Sequence, residues 1–253
     1  MAAGKEDRKD VVIGMIRESD LQTYMQVLSR YSTPTVANAI ELFEIRPRNE
    51  GYLRTPFHCL SPEKPPVAGY AVTCTVSCEA PESYGRIESF DYWEHIESQP
   101  GPRIAVVQDL DRGPLAGGFL GEVNGAIHKA LGCIGAVVDG AVRDLDEMRG
   151  EDLQVLYRQV IVSHGYVHPV ACGRPIEIDG VTIKPGMLLQ VDQYGVLIVP
   201  PETLPDLAGA IREIERRERG VLEYCRTERP TREGLVETVT KYLRNNPKWT
   251  PGA

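Results

Sequence analysis

An α/β fold with a partly parallel central sheet, a β-α-β crossover and an appended β-hairpin layer, all in a single domain, is what the sequence predicts. Three observations predict it. Two apolar runs, "RIAVVQDLD" and "IGAVVDG", flank "GGFLGEVNGAIHKALG", a segment of helical length that stops at Gly132. Near-continuous apolar strands separated by such a helix need a parallel crossover, because a tight turn cannot join parallel neighbours. Downstream, "RPIEIDGVTIKPGMLLQVDQYGVLIVP" alternates and carries Asp179-Gly180, which suits a two-residue hairpin turn. That stretch predicts three or four short strands.

The other elements follow in order. "LQTYMQVLSRY" places Leu21, Tyr24, Met25 and Leu28 on one helical face. "STPTVANAIELF" reads as a second helix with Ser32 or Thr33 as N-cap and Pro34 in the first turn. After the Pro-rich loop "SPEKPPVAG", the Thr and Val content of "YAVTCTVSC" predicts a strand. "YGRIESFDYWEHIESQPG" predicts a short helix ending at Pro100-Gly101. In the crossover segment, Leu120, Val123, Ile127 and Leu131 form one apolar stripe, so the helix is expected to start near Gly118. A helix from Glu202 to Cys225 begins with a stripe of Leu204, Leu207, Ile211 and Ile214 and turns almost wholly charged from Glu215 to Arg219. The tail "NNPKWTPGA" is expected to be loose or packed on a neighbouring molecule.

Composition narrows the function. The 253 residues are 42% hydrophobic and 25% charged, ordinary for a globular protein, and the formal net charge is −8. That acidity argues against nucleic acid or an anionic membrane as the main partner. "MAAGKEDRKD" is charged where a signal peptide would be apolar, and six cysteines show no C-x-x-C pair, so a cytoplasmic setting with reduced thiols is expected.

Ligands of parallel α/β units collect beyond the C-terminal ends of the strands. One strand ends there at Asp109 and Asp111 and leads through "GPLAGG" toward a helix N-terminus, where Gly117 and Gly118 would let the backbone approach a ligand. The next ends at Asp139-Gly140 and presents Arg143 beside Asp144, with Glu122 one turn into the intervening helix. A fixed guanidinium can grip a carboxylate or enolate oxygen, and a neighbouring carboxylate can hold a hard cation. His164 and His168 have a zinc-like spacing, but "SHGYVHPV" reads as loop or strand, so no metal role is assigned to them. His128 is expected at the surface or its boundary, and Cys133 in the packing.

The block "GGFLGEVNGAIHKALGCIGAVVDGAVRDLDE" resembles the signature of the 4-hydroxy-4-methyl-2-oxoglutarate aldolase family, which also includes the regulator-of-ribonuclease-activity protein A. "VTIKPGMLLQVDQYGVLIVP" is similar to a later stretch of the same family. The resemblance implies an RraA-like α/β/β domain over residues 33–220, preceded by an N-terminal helical extension (1–32) and followed by a C-terminal one (221–253). It implies class II aldol chemistry with Mg²⁺ or Mn²⁺, cleaving a 4-hydroxy-2-oxo acid to release pyruvate and also decarboxylating oxaloacetate. Residue by residue, Arg143 falls on the arginine that contacts the pyruvyl group and Asp144 on the aspartate that coordinates the metal. Glu122 falls on an acidic position that holds the metal through water. The backbone of Gly118, Phe119, Leu120 and Gly121 falls where the substrate carboxylate docks. Glu218, among nearby Glu213 and Glu215, aligns with a glutamate that acts through water from a neighbouring subunit, implying a homotrimer or a dimer of trimers. Asn38 stands where many members carry an aspartate. The alternative is a non-catalytic regulatory or binding protein; the carboxylate of Asp144 favours the lyase, because a metal needs it.

Overall fold

The structure, a computed structural model, describes residues 18–245 and 248–252, so the charged N-terminal decapeptide lies outside the described residues. The chain forms two compact units, one of residues 25–33 and 51–199, the other of residues up to 24, 34–50 and 200–253.

The first unit is built on a nine-stranded mixed sheet. Its strands are β1 (His58–Cys59), β2 (Val67–Ser77), β3 (Arg103–Asp109), β4 (Gly118–Leu120), β5 (Cys133–Val142), β6 (Gln154–Val160), β7 (His168–Cys172), β10 (Leu188–Asp192) and β11 (Gly195–Ile198). The order is β1-β6-β5-β3-β2-β10-β11, with β4 added on β5 and β7 on β2. Pairs β2/β3, β3/β5, β4/β5 and β5/β6 are parallel, and the flanking pairs are antiparallel. The central strands bury both faces, which is why they read as unbroken apolar runs. Ala105, Val107, Ala136 and Val138 face one cluster with Tyr92, Ile96, Met148 and Leu153. Ile104, Val106 and Val137 face the other, with Ile176, Ile178 and Ile183. The second cluster lies under the hairpin of β8 (Ile176–Ile178) and β9 (Val181–Ile183), whose turn has positive φ at both Asp179 and Gly180. Those angles suit a type I′ turn. The expected hairpin layer is therefore present.

The helices of this unit are α3 (Ser89–Ser98), α4 (Glu122–Ala130) and α5 (Leu145–Met148); α1 (Glu18–Arg30) and α2 (Thr33–Glu41) precede the sheet in the chain. Two expectations for the crossover are corrected. Gly118 to Leu120 form a strand, and α4 starts only at Glu122. With Leu120 outside the helix, the buried face of α4 is Gly125 and His128, while Val123 is 72% exposed. Gly125 packs toward Met148 and Leu153, and a Cβ there would meet them at ordinary contact distances of 3.8 and 3.9 Å. His128 is 1% exposed, so the expected boundary histidine is a core residue. All six cysteines are unpaired thiols.

In the second unit, α6 (Leu204–Cys225) buries Leu204, Leu207, Ala210 and Ile211 at its start and is followed by α7 (Arg232–Val239). The described part of the tail packs on its own unit. Trp249 stacks on Phe43 with ring centroids 4.7 Å apart, and the Gly252 amide donates to Asp206 at 2.9 Å. No helix among the described residues is long and apolar enough to cross a membrane.

Buried Asp192 sets one end of the first unit. Its carboxylate accepts from the Thr33 amide (2.8 Å), the Thr33 hydroxyl (2.7 Å) and the Tyr194 amide (2.9 Å). Asp192→Ala leaves these donors without an acceptor and should cost about 3 kcal/mol, read as a lower denaturant midpoint at unchanged slope.

Candidate functional site

The site is made by the way β5 changes neighbours. β6 runs along one side of β5, as far as Val142↔Val160. On the other side β3 pairs up to Gln108↔Asp139 and then leaves. The chain makes a loop over residues 110–117 and returns as β4, which resumes the pairing at Gly118↔Ala141 and Leu120↔Val142. The ladder ends with the Arg143 amide donating to Leu120 O at 2.9 Å. Gly121-Glu122 and Arg143-Asp144 are thereby set side by side.

Asp144 takes a left-handed conformation (φ 53°, ψ 46°) as it starts α5, a region that aspartate enters more readily than most residues. That turn folds its carboxylate back over Gly121. A Cβ on Gly121 would lie 2.4 Å from Asp144 Oδ2 and 3.0 Å from Arg143 Cγ. Gly121 itself is extended (φ −141°), so glycine is needed there for space rather than for its φ. The Glu122 amide donates to Asp144 Oδ2 at 3.2 Å, and Arg143 Nε lies 3.1 and 3.0 Å from the two carboxylate oxygens. The Arg143 guanidinium, helped by the Glu122 amide, holds the Asp144 carboxyl below its usual range, so it stays ionised. Both side chains remain about a third exposed. Among the described residues, the two terminal nitrogens of Arg143 have no hydrogen-bond partner.

The remaining predicted residues are placed as follows. Gly118 is not a free docking amide, because it donates to Ser163 O at 2.9 Å. Gly117 and Gly118 serve close packing against the segment 161–164: a Cβ on Gly117 would lie 2.3 Å from His164 O, and one on Gly118 3.2 Å from Ile161 Cγ2. Sequence reasoning did not assign this supporting segment, and only the glycine in "SHGY" hints at a tight loop. Phe119 and Leu120 point into the core, leaving only their backbone to the site. The first intrahelical bond of α4 runs from the Gly125 amide to Gly121 O, so the first-turn amides of Val123 and Asn124 lack a helical acceptor. Glu122 is exposed on that same turn. Glu218 is exposed on α6 in the second unit, with Asn38 Nδ2 3.4 Å from its carboxylate. Glu213 is committed elsewhere. It accepts from Arg216 and Arg217 at 2.7–2.8 Å, with its carboxyl lowered to about 2 mainly by Arg216. Asp139 is held by Arg158 at 2.7 Å.

A divalent metal fits at Asp144. Its carboxylate is ionised, part-exposed and made of hard oxygens, and a cation of the Mg²⁺ class needs only one or two protein carboxylates because it keeps several waters. The trio of Cys78, just after β2, and Asp109 and Asp111, at the end of β3, fits less well. Asp111 already accepts from Ser77 Oγ (2.6 Å) and the Cys78 amide (2.7 Å), and burial pushes the Cys78 thiol up to about 12. Burial also raises Asp109 to about 6. A carboxyl whose folded pKa exceeds its unfolded value favours folding when protonated, so this contribution is full below about pH 4 and is lost as pH rises through 6. Asp109→Asn should therefore raise the melting temperature by a few degrees at pH 8 and have little effect at pH 4, in parallel thermal scans.

Comparison with known proteins places this geometry in a family. Residues 33–198 match the model of the RraA-like family, described as Aldolase/RraA. The chain is similar to Protein DlpA of Legionella pneumophila, 35% identical over 99 residues that cover 36% of this chain and 16% of that protein. It is also similar to a protein of Halalkalibacterium halodurans provisionally named 4-hydroxy-4-methyl-2-oxoglutarate aldolase, 29% identical over 111 residues covering 41% of this chain and 49% of that one. The chain thus spans half or less of the length of these curated relatives. Among solved structures it is similar to Streptomyces coelicolor RraAS2, described as an unusual member of the RNase ES inhibitor RraA protein family. The TM-score is 0.63 at 25% identity, covering 81% of this chain and 98% of that one. With two thirds of its residues inside the matched region, this chain belongs to the RraA-like family.

Proposed function

We propose that the protein is a divalent-metal-dependent carbon–carbon lyase that cleaves a 4-hydroxy-2-oxo acid to release pyruvate and also decarboxylates oxaloacetate. The observation that carries this reading is the Arg143–Asp144 pair: one guanidinium is fixed through Nε by an ionised carboxylate, and its terminal nitrogens are left for a ligand. Breaking a C–C bond next to a ketone leaves an electron pair that must be stabilised on the keto oxygen. Arg143 donates to that oxygen, where charge grows in the transition state. Asp144 would hold Mg²⁺ or Mn²⁺, which when bound would supply Lewis-acid stabilisation of the developing charge. The substrate carboxylate docks on the backbone around Gly121 and the first turn of α4, where amides and the helix dipole favour an anion. Glu122, exposed on that turn, and Glu218 of a neighbouring copy orient a water or hydroxide; as hydroxide it takes the proton from the 4-hydroxyl, becoming water, and then returns one to the pyruvate carbon. Oxaloacetate loses CO₂ through the same charge distribution, so one site serves both reactions. The assembly is a homotrimer or a dimer of trimers, in which each α6 serves the next subunit.

Three outcomes are expected. Pyruvate release from oxaloacetate or a 4-hydroxy-2-oxo acid should require added Mg²⁺ or Mn²⁺ and be lost in excess chelator and in Asp144→Ala. No pyruvate from any of these acids would leave the regulatory, non-catalytic reading in its place. Arg143→Lys keeps the charge but not the planar fork, and should lower kcat roughly 10²-fold with little change in Tm. Finally, mixing inactive Asp144→Ala with inactive Glu218→Ala under subunit exchange should restore activity. A fully active monomer, or no recovery on exchange, would remove Glu218 from the site.

A further inference from the structure

Tyr92 sits in the middle of α3 and His128 near the end of α4, and both are buried, at 2% and 1% exposure. Tyr92 Oη lies 3.0 Å from His128 Nε2, and His128 Nδ1 lies 2.6 Å from Asn124 O. Asn124 Nδ2 in turn donates to Phe119 O at 2.7 Å. These contacts fix the protons. A carbonyl can only accept, so Nδ1 carries the hydrogen, Nε2 is bare, and the Tyr92 hydroxyl must donate to it. Burial lowers the His128 pKa and raises that of Tyr92, which keeps both groups neutral and the tautomer single. The Phe119 ring completes the arrangement, edge-on to His128 with centroids 5.8 Å apart and 6.3 Å from Tyr92.

Every link in this chain ends on the same short piece of backbone. Phe119 O and Asn124 bracket Gly121 and Glu122, the residues of this segment that lie against Asp144. The helical carbonyl of Asn124 lies one turn before His128 and has its ordinary acceptor role in α4, so the imidazole is an additional hold on it. A phenylalanine–leucine pair would fill the same volume without the desolvation of a hydroxyl and a ring. The polar pair therefore suits a role that packing alone does not require.

We infer that Tyr92 and His128, acting through Asn124, are positioning residues that hold Phe119–Asn124 in the shape that receives the substrate carboxylate. The inference rests on the lyase reading for the identity of the ligand. Tyr92 comes from α3, in the connection between β2 and β3. Among the described residues, no hydrogen bond joins the three side chains to Arg143 or Asp144.

Two variants separate positioning from stability. Tyr92→Phe keeps the ring but leaves buried His128 Nε2 without a donor, so Tm should fall. Tyr92→Phe/His128→Leu removes both partners, and an apolar pair of similar shape should recover most of that Tm. Backbone hydrogen exchange of residues 118–126, measured without substrate, should nevertheless be about tenfold faster than wild type in both variants. KM for pyruvate release from oxaloacetate with Mg²⁺ should rise about tenfold in both while kcat changes little, as expected when docking rather than chemistry is loosened. If exchange and KM return to wild type together with Tm in the double variant, or do not move in Tyr92→Phe, the pair is core packing and the inference is wrong. A wild type that releases no pyruvate would sink the lyase reading, and exchange alone would then decide whether these residues hold the segment.

Discussion

The site depends on one close approach, that of the Asp144 carboxylate to the bare Cα of Gly121. The contact can exist because two conditions meet. Asp144 adopts a left-handed turn that swings its side chain back across β4, and position 121 carries no Cβ to block it. The consequences are electrostatic. The carboxylate accepts an amide from the first turn of α4 and a guanidinium from its own neighbour, and it remains ionised while still reaching solvent. A carboxylate held ionised by a guanidinium and an amide is a poor proton carrier, and its part-exposed oxygens keep the hard, anionic character that a divalent cation requires.

The sheet exists in the form this contact requires. β5 is long enough, at ten residues, to take β3 along its first part and β4 along its last. The handover aligns Leu120 with Val142, so the residues that follow each of them emerge side by side. Buried packing beneath the handover is provided by Phe119, Leu120, Val142 and Met148, and a polar thread from α3 adds direction to it. Stability and site geometry are therefore set by the same few residues. Arg143, by contrast, has its side chain a third exposed and contributes to the site without being needed by the core.

Much of this was legible in the chain. β3, α4 and β5 could be read because a doubly buried parallel strand has no polar interruptions and a crossover helix has a definite length. The Asp179-Gly180 turn could be read because few dipeptides tolerate positive φ at both positions. β4 could not, because three residues offer no period to count. Its misassignment to the helix rotated the expected apolar face, placing Val123 inside and His128 outside, the reverse of what the structure has. The Arg143-Asp144 pair was visible as chemistry, but Asp139, expected to end the strand, lies within it and is held by Arg158, and no local pattern announces a partner 19 residues away. The role of Gly118 was misjudged for a similar reason: Ser163, which takes its amide, is far along the chain.

The most direct test asks whether the space at Gly121 governs the cation. Mn²⁺ binding can be followed by the loss of the free-ion signal in electron paramagnetic resonance, comparing wild type with Gly121→Ala. The added methyl must displace Asp144, so affinity should fall about tenfold or more while Tm stays within a few degrees of wild type. A Gly121→Ala protein that binds Mn²⁺ as tightly as wild type, or a wild type that does not bind it, would contradict the account.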